Sequence, residues 1–188
     1  VTPRSPEKDT DGASSKLVAQ AILDAVDKYQ ADVITTSLDV KDTEELAQAV
    51  AYAASKNVII TGASGNSSTS ENDPYVYPAS YDAVISVGAV DSNNKIRANS
   101  QKNDKVFVAA PGEEIAVLDL SLSARCKLAS GTSYASPIVA AMAVAAKQYN
   151  RDITPEQFKA LLQTSSVDAG AEGYDNAYGY GIVDFAAF

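Results

Sequence analysis

Ser133–Tyr149 reads SYASPIVAAMAVAAKQY, introduced by Ala129-Ser130-Gly131-Thr132. The spacing predicts one helix, apolar nearly all round and rich in alanine. A helix without a polar face is expected to be buried on every side, so this segment belongs at the centre of a layered fold. Its small side chains let neighbouring backbones approach closely. Ser133, in the first turn, is then placed at the edge of the core beside a helix N-terminus.

The flanking chain alternates between strand and helix signals. Ser15–Tyr29 carries Leu17, Val18, Ala21, Ile22, Ala25 and Val26 at helical spacing. Val33–Leu38 is a β-branched run. Asp42 and Glu45 precede Leu46, Ala49, Val50 and Ala53, which predicts a capped helix. Val58–Thr61, Val84–Val90 and Val106–Ala109 read as strands, with Pro111-Gly112 as a stop. Ser67–Pro78 is a polar loop. Ile115–Leu118 and Ala124–Leu128 are expected to pair as a hairpin. Thr154-Pro155-Glu156-Gln157 is a capping box that opens a helix to about Gln163. Gly179–Phe185 is expected to be a closing strand. Alternating short strands and helices predict an α/β fold, a mostly parallel sheet between two helical layers. Ligands in such sheets bind outside the carboxyl ends of the strands. Those ends are Ser37–Val40, Gly62–Asn66 and Ala109–Gly112.

The 188 residues suit a single domain, 1–188, with a real core. Lys and Arg number 15 against 24 Asp and Glu, a net charge of -9. That balance argues against nucleic acid or an anionic membrane as the main partner. The longest apolar run, Ile138–Ala146, is far below the roughly 20 residues of a membrane span. The single cysteine, Cys126, excludes an internal disulfide and is expected to be a small buried residue. There is no histidine, which excludes every in-chain imidazole as base, nucleophile or ligand. The carboxylates form no recognisable metal cluster. The chain starts at Val1 and its lone methionine is Met142, so a processed or excised piece is expected.

Gly131-Thr132-Ser133-Tyr134-Ala135-Ser136-Pro137 resembles the nucleophile segment of the subtilisin-like serine proteases, Gly-Thr-Ser-x-Ala-x-Pro. Thr61-Gly62-Ala63-Ser64-Gly65-Asn66 is similar to the family's Ala-Ala-Gly-Asn segment. Tyr77-Pro78-Ala79, Val84–Val90, Ala109-Ala110-Pro111-Gly112 and Gly179-Tyr180-Gly181-Ile182-Val183 resemble further segments in the family order. The resemblance runs from Ser14 to the end. It implies the C-terminal part of a three-layer subtilisin-like fold lacking the N-terminal strands. It implies Ser133 as nucleophile and Asn66 as oxyanion donor. It implies a substrate cleft at Ser37, Leu38, Asp39, Ala63, Ser64, Gly65, Gly131 and Thr132. The partner is then a peptide or protein substrate, and the setting extracellular or the cell surface. A weak calcium or monovalent cation held near Ala79, Tyr81 and Val84 is also implied; no other cofactor is.

The departures from the pattern are equally specific. The family's triad runs Asp, His, Ser along the chain. No Asp-Ser/Thr-Gly-like or His-Gly-Thr-His-like segment exists here. A related family replaces the histidine by a Glu–Asp pair, but its acid–base helix is absent too, and its oxyanion donor is aspartate where this chain has Asn66. An unassisted serine is a poor nucleophile. The expected function is a serine endopeptidase domain fragment, inactive as an isolated chain. The alternative is a pseudoprotease, a binding or regulatory module. The family's Ser-Leu-Gly-Gly strand reads Ser37-Leu38-Asp39-Val40 here. That change alters specificity, for instance toward basic side chains, or closes the cleft. Lacking its usual neighbours, the chain is expected to self-associate or to pair with the missing N-terminal half.

Overall fold

The computed structural model describes residues 13–119 and 125–188. Four parallel strands form one sheet: β1 (Val33–Thr36), β2 (Ile59–Ala63), β3 (Val84–Val90) and β4 (Val106–Pro111), in that spatial order. Helices α1 (Ala13–Asp27) and α2 (Glu44–Ser55) cover one face. Helices α3 (Thr132–Tyr149) and α4 (Pro155–Ser165) cover the other. A small antiparallel hairpin, β5 (Ile115–Leu118) and β6 (Cys126–Ala129), leads into α3. The expected α/β sandwich with a parallel sheet is present.

The period of a strand explains the layering. Within β2, Ile59 joins the core under α3 and α4, while Ile60 joins the core under α1 and α2. Both are fully buried, as is every residue of β2 and β3. The α3 core comprises Val139, Met142, Ala143 and Ala146 against Ile85, Val87, Val108 and Ala110. Phe158 and Leu162 of α4 close it. At the far end of α3, the buried Lys147 amine donates to the Asn57 carbonyl at 2.7 Å. Desolvation lowers its pKa.

Several expectations need correction. The N-cap of α2 is Thr43, whose hydroxyl accepts from Leu46 N–H at 3.3 Å. Asp42 instead accepts the Tyr81 hydroxyl at 2.6 Å. Gly179–Phe185 is no strand; Ile182 makes only isolated bridges, to Ala109 and Val167. Glycines at 179 and 181, with φ of 63° and 121°, break the extended run there. Cys126 is exposed, because β6 lies outside both cores. Ala124 lies outside the described residues. Finally, α3 is not buried all round: Pro137, Ala141, Val144 and Ala145 form an exposed stripe opposite its sheet-facing side. Among the described residues, no element packs over that stripe, and the outer edge of β1 pairs with no strand.

The capping box of α4 is formed as expected: Thr154 and Gln157 exchange bonds at 3.2 and 3.0 Å. That cap holds Phe158, which is fully buried and meets Phe188 edge-on at 5.8 Å. Truncating Phe158 leaves a cavity between α4 and the sheet. Phe158→Ala is expected to cost about 3–5 kcal/mol, seen as a lower urea midpoint with an unchanged slope.

Candidate active site

Residues from three strand ends and the start of α3 converge on one spot. The N-cap of α3 is Gly131, at φ 148° and ψ 164°. A Cβ there would lie 3.1 Å from Asn66 Oδ1, so the close approach and the positive φ both call for glycine. Gly131 N–H donates to the Gly112 carbonyl at 2.7 Å, which ties α3 to the end of β4.

Two reciprocal hydrogen bonds fix the loop after β2 to this helix start. Thr132 N–H donates to Asn66 Oδ1 at 2.9 Å. Gly65 N–H donates to Thr132 Oγ1 at 3.2 Å. Since Oδ1 is occupied, the amide orientation of Asn66 is set and its Nδ2 keeps both protons available. Asn66 is exposed and Ser133 half-buried. Ser133 is the second residue of α3, so its own N–H is one of the unpaired donors of a helix N-terminus. A site beside Ser133 Oγ thus has an amide donor, a backbone donor and the positive end of a helix dipole. That is what a developing oxyanion needs.

Pro137, inside α3, has no N–H for the Ser133 carbonyl four residues back. The Ser37 hydroxyl, just beyond β1, supplies the missing donor at 3.1 Å. Deeper in the same turn, Ser136, Thr61 and Thr35 share hydroxyl contacts of 3.0–3.2 Å. These polar groups are satisfied among themselves, so the apolar helix carries them without penalty.

The other expected cleft residues divide by exposure. Ser37, Leu38 and Asp39 are exposed. Ala63, Ser64, Gly131 and Thr132 are buried. Gly65 is half-buried, and the Ser64 hydroxyl has no partner among the described residues. Near the expected cation position, the Tyr81 carbonyl accepts Val84 N–H at 2.8 Å. Among the described residues, no group of three or more acidic, Cys or His side chains is placed to hold a metal.

One organising residue escaped the sequence reading. Asp73 is buried, and its carboxylate accepts from the N–H groups of Thr69, Ser70 and Lys102 at 2.9–3.0 Å. It folds the loop that begins at Asn66 and binds it to the 99–103 segment. Gln101 N–H also holds the Gly65 carbonyl at 3.0 Å. The only sequence signal was an Asp in a Ser/Asn-rich loop, where side-chain-to-backbone bonds are common.

A family model described as "Subtilase family" matches residues 3–181. The chain belongs to the subtilase family. It is 32% identical over 172 residues to the minor extracellular protease Epr of Bacillus subtilis (strain 168), covering 89% of this chain and 26% of that protein. It is 32% identical over 161 residues to an intracellular serine protease of Paenibacillus polymyxa, covering 81% of this chain and 48% of that protein. The crystal structure of MycP1 from Mycobacterium smegmatis superposes with a TM-score of 0.80 at 25% identity, covering 99% of this chain and 59% of that one. The chain therefore spans about a quarter to three-fifths of the length of these relatives. Its fold and family are those of a subtilisin-like serine protease domain.

Burial alone pushes the Asp73 carboxyl up, but the hydroxyl and N–H donors around it outweigh that and hold it at about 2, against an ordinary 3.8. A depressed folded-state pKa stabilises at pH above the unfolded value and is lost as pH falls through about 2. Asp73→Asn is expected to lose about 2 kcal/mol at neutral pH. The gap between wild type and variant, read from urea midpoints, should shrink steadily between pH 4 and pH 2.

Proposed function

We propose that this chain is the nucleophile- and oxyanion-bearing part of a serine endopeptidase, with Ser133 as the attacking residue. The Asn66–Thr132 hydrogen bond at 2.9 Å carries this reading, because it aims the Asn66 amide at the start of the Ser133 helix. Ser133 Oγ attacks the peptide carbonyl carbon while its proton passes to a base. The carbonyl oxygen becomes an oxyanion received by Asn66 Nδ2 and Ser133 N–H. The proton then goes to the departing amine, leaving an acyl-enzyme that water hydrolyses. The substrate is a peptide or protein.

The chain contains no histidine, and Ser133 Oγ makes no hydrogen bond among the described residues. The base is therefore proposed to come from outside these 188 residues. The unpaired edge of β1 and the apolar stripe of α3 flank Ser37 and Ser133, and they suit a docking strand and helix. A second copy of this chain is the other occupant, which light scattering distinguishes. The name of the Bacillus subtilis relative fits an extracellular setting; the Paenibacillus polymyxa relative is named as intracellular. The pseudoprotease reading draws on one observation, Asp39-Val40 in place of two glycines on the cleft strand.

Fluorophosphonate reagents need an activated serine and an oxyanion hole. The folded chain by itself is expected to resist labelling and to cleave no peptide. A mass-mapped adduct on Ser133 would show that a base is already present and overturn the claim of inactivity. Adduct formation only after adding a polypeptide with subtilase Asp and His segments would support the proposed division of labour. Persistent silence of that mixture, with both components folded, would favour the pseudoprotease.

A further inference from the structure

Residues 37–40 form one wall of the cleft. They run without a turn from the end of β1 to a bridge at Val40, whose N–H donates to the Tyr77 carbonyl at 3.1 Å. Ser37 fixes the start of this wall to the Ser133 carbonyl at 3.1 Å. Asp39 lies two residues further on. Asp39 therefore sits between the Ser37 anchor on the Ser133 carbonyl and the Val40 bridge to Tyr77.

The Asp39 carboxylate is an acid unpaired among the described residues, two residues from the Ser37 anchor on the Ser133 carbonyl. The exposed acids Asp32, Glu71, Asp82 and Glu113 and the half-buried Asp24 each sit within 3.4 Å of a Lys or Arg. Asp39 has no such cation and no hydrogen bond among the described residues. Desolvation by the surrounding chain raises its pKa, with no opposing charge to pull it back. Asp39 is exposed, and no neighbouring cation among the described residues answers its charge. A carboxylate in that state gains most from an incoming cation, and Arg can meet it through two parallel bonds.

Resting on the peptidase reading of the cleft, we propose that Asp39 is a specificity-determining residue that selects cationic peptides, pairing with a Lys or Arg side chain near the bond presented to Ser133. The same position repels acidic segments. The net charge of -9 draws cationic peptides toward the chain from a distance. Local pairing is separable from that field, because distant acids contribute to the field alone.

The test uses the intact chain and binding, so it does not depend on turnover. Fluorescein-labelled octapeptides differ at one residue, Lys, norleucine or Glu, scanned through the four central positions, and anisotropy reports Kd at low salt. At one position or two adjacent ones, the Lys peptide should bind about tenfold tighter than the norleucine peptide, and the Glu peptide weakest. Asp39→Asn should erase the Lys preference and leave the norleucine affinity unchanged. Glu172→Gln, on the exposed closing loop, should leave the preference intact. If all three peptides bind wild type equally, or the preference survives Asp39→Asn, the Asp39 proposal is overturned while the cleft reading stands. If no peptide binds the folded chain, the cleft reading itself falls, and this proposal with it.

Discussion

The site depends on a pair of reciprocal hydrogen bonds between the loop after β2 and the first residue of α3. Gly65 donates to the Thr132 hydroxyl, and Thr132 donates to the Asn66 side chain. Each bond is worth about 1 kcal/mol net, too little to hold two elements together. What makes them decisive is that neither element has freedom to go elsewhere. The α3 helix is fixed by its core against β3 and β4. The loop is fixed by Asp73 and Gln101. The bonds therefore select one orientation of the Asn66 amide inside a frame already built. Glycines make the frame dense enough. A Cβ at Gly112 would lie 2.6 Å from Ala89 Cβ, and one at Gly65 would run into the Gln101 side chain.

The same reasoning explains the proline in the Ser133 helix. Pro137 removes a hydrogen bond from the carbonyl of Ser133, a cost of about 1–3 kcal/mol if that carbonyl were left buried and unpaired. The Ser37 hydroxyl takes the place. A helix rule is thereby converted into a tertiary link between the wall of the cleft and the residue behind it. The hydroxyls of Thr35, Thr61 and Ser136 add polar contacts deeper in the same turn. A helix rich in alanine gains its orientation from these few polar contacts, since apolar packing is non-directional.

The parallel sheet and its helical layers were legible because strands buried on both faces read as continuous apolar runs, as in Val84–Val90. The position of Asn66 relative to Ser133 was legible only through a family resemblance; 67 residues separate them, and no periodicity links them. Misreadings came where several local rules compete. Asp42, Thr43 and Glu45 all favour a helix start, and the choice of Thr43 is made by Tyr81, which claims Asp42. The exposed stripe on α3 was hidden by composition, since an apolar residue reads alike whether or not a neighbour covers it. Asp73 was hidden for the opposite reason. Its partners are backbone N–H groups, which every sequence has.

The energetic weight of the parts bears on what such a frame can do without a base. Removing the side-chain oxyanion donor costs about two to three orders of magnitude in subtilisin, where this effect was measured. In the same enzyme, loss of the histidine costs about as much as loss of the whole triad, and the oxyanion hole with binding retains about 10³–10⁴ over water. The geometry around Asn66 and Ser133 corresponds to that residual share. On the proposed reading it prepares charge stabilisation and leaves removal of the Ser133 proton to a separate base. Helix dipole and amide donors stabilise the product of the attack far more than they activate the attacking oxygen. A base brought to the open edge of β1 would therefore multiply a contribution already assembled, whereas the same base beside a misoriented Asn66 would act on a serine with nowhere to place the negative charge. On the proposed reading, the clamp at Thr132 and a base supplied from elsewhere are two factors of one rate, and the clamp is the one the described residues assemble.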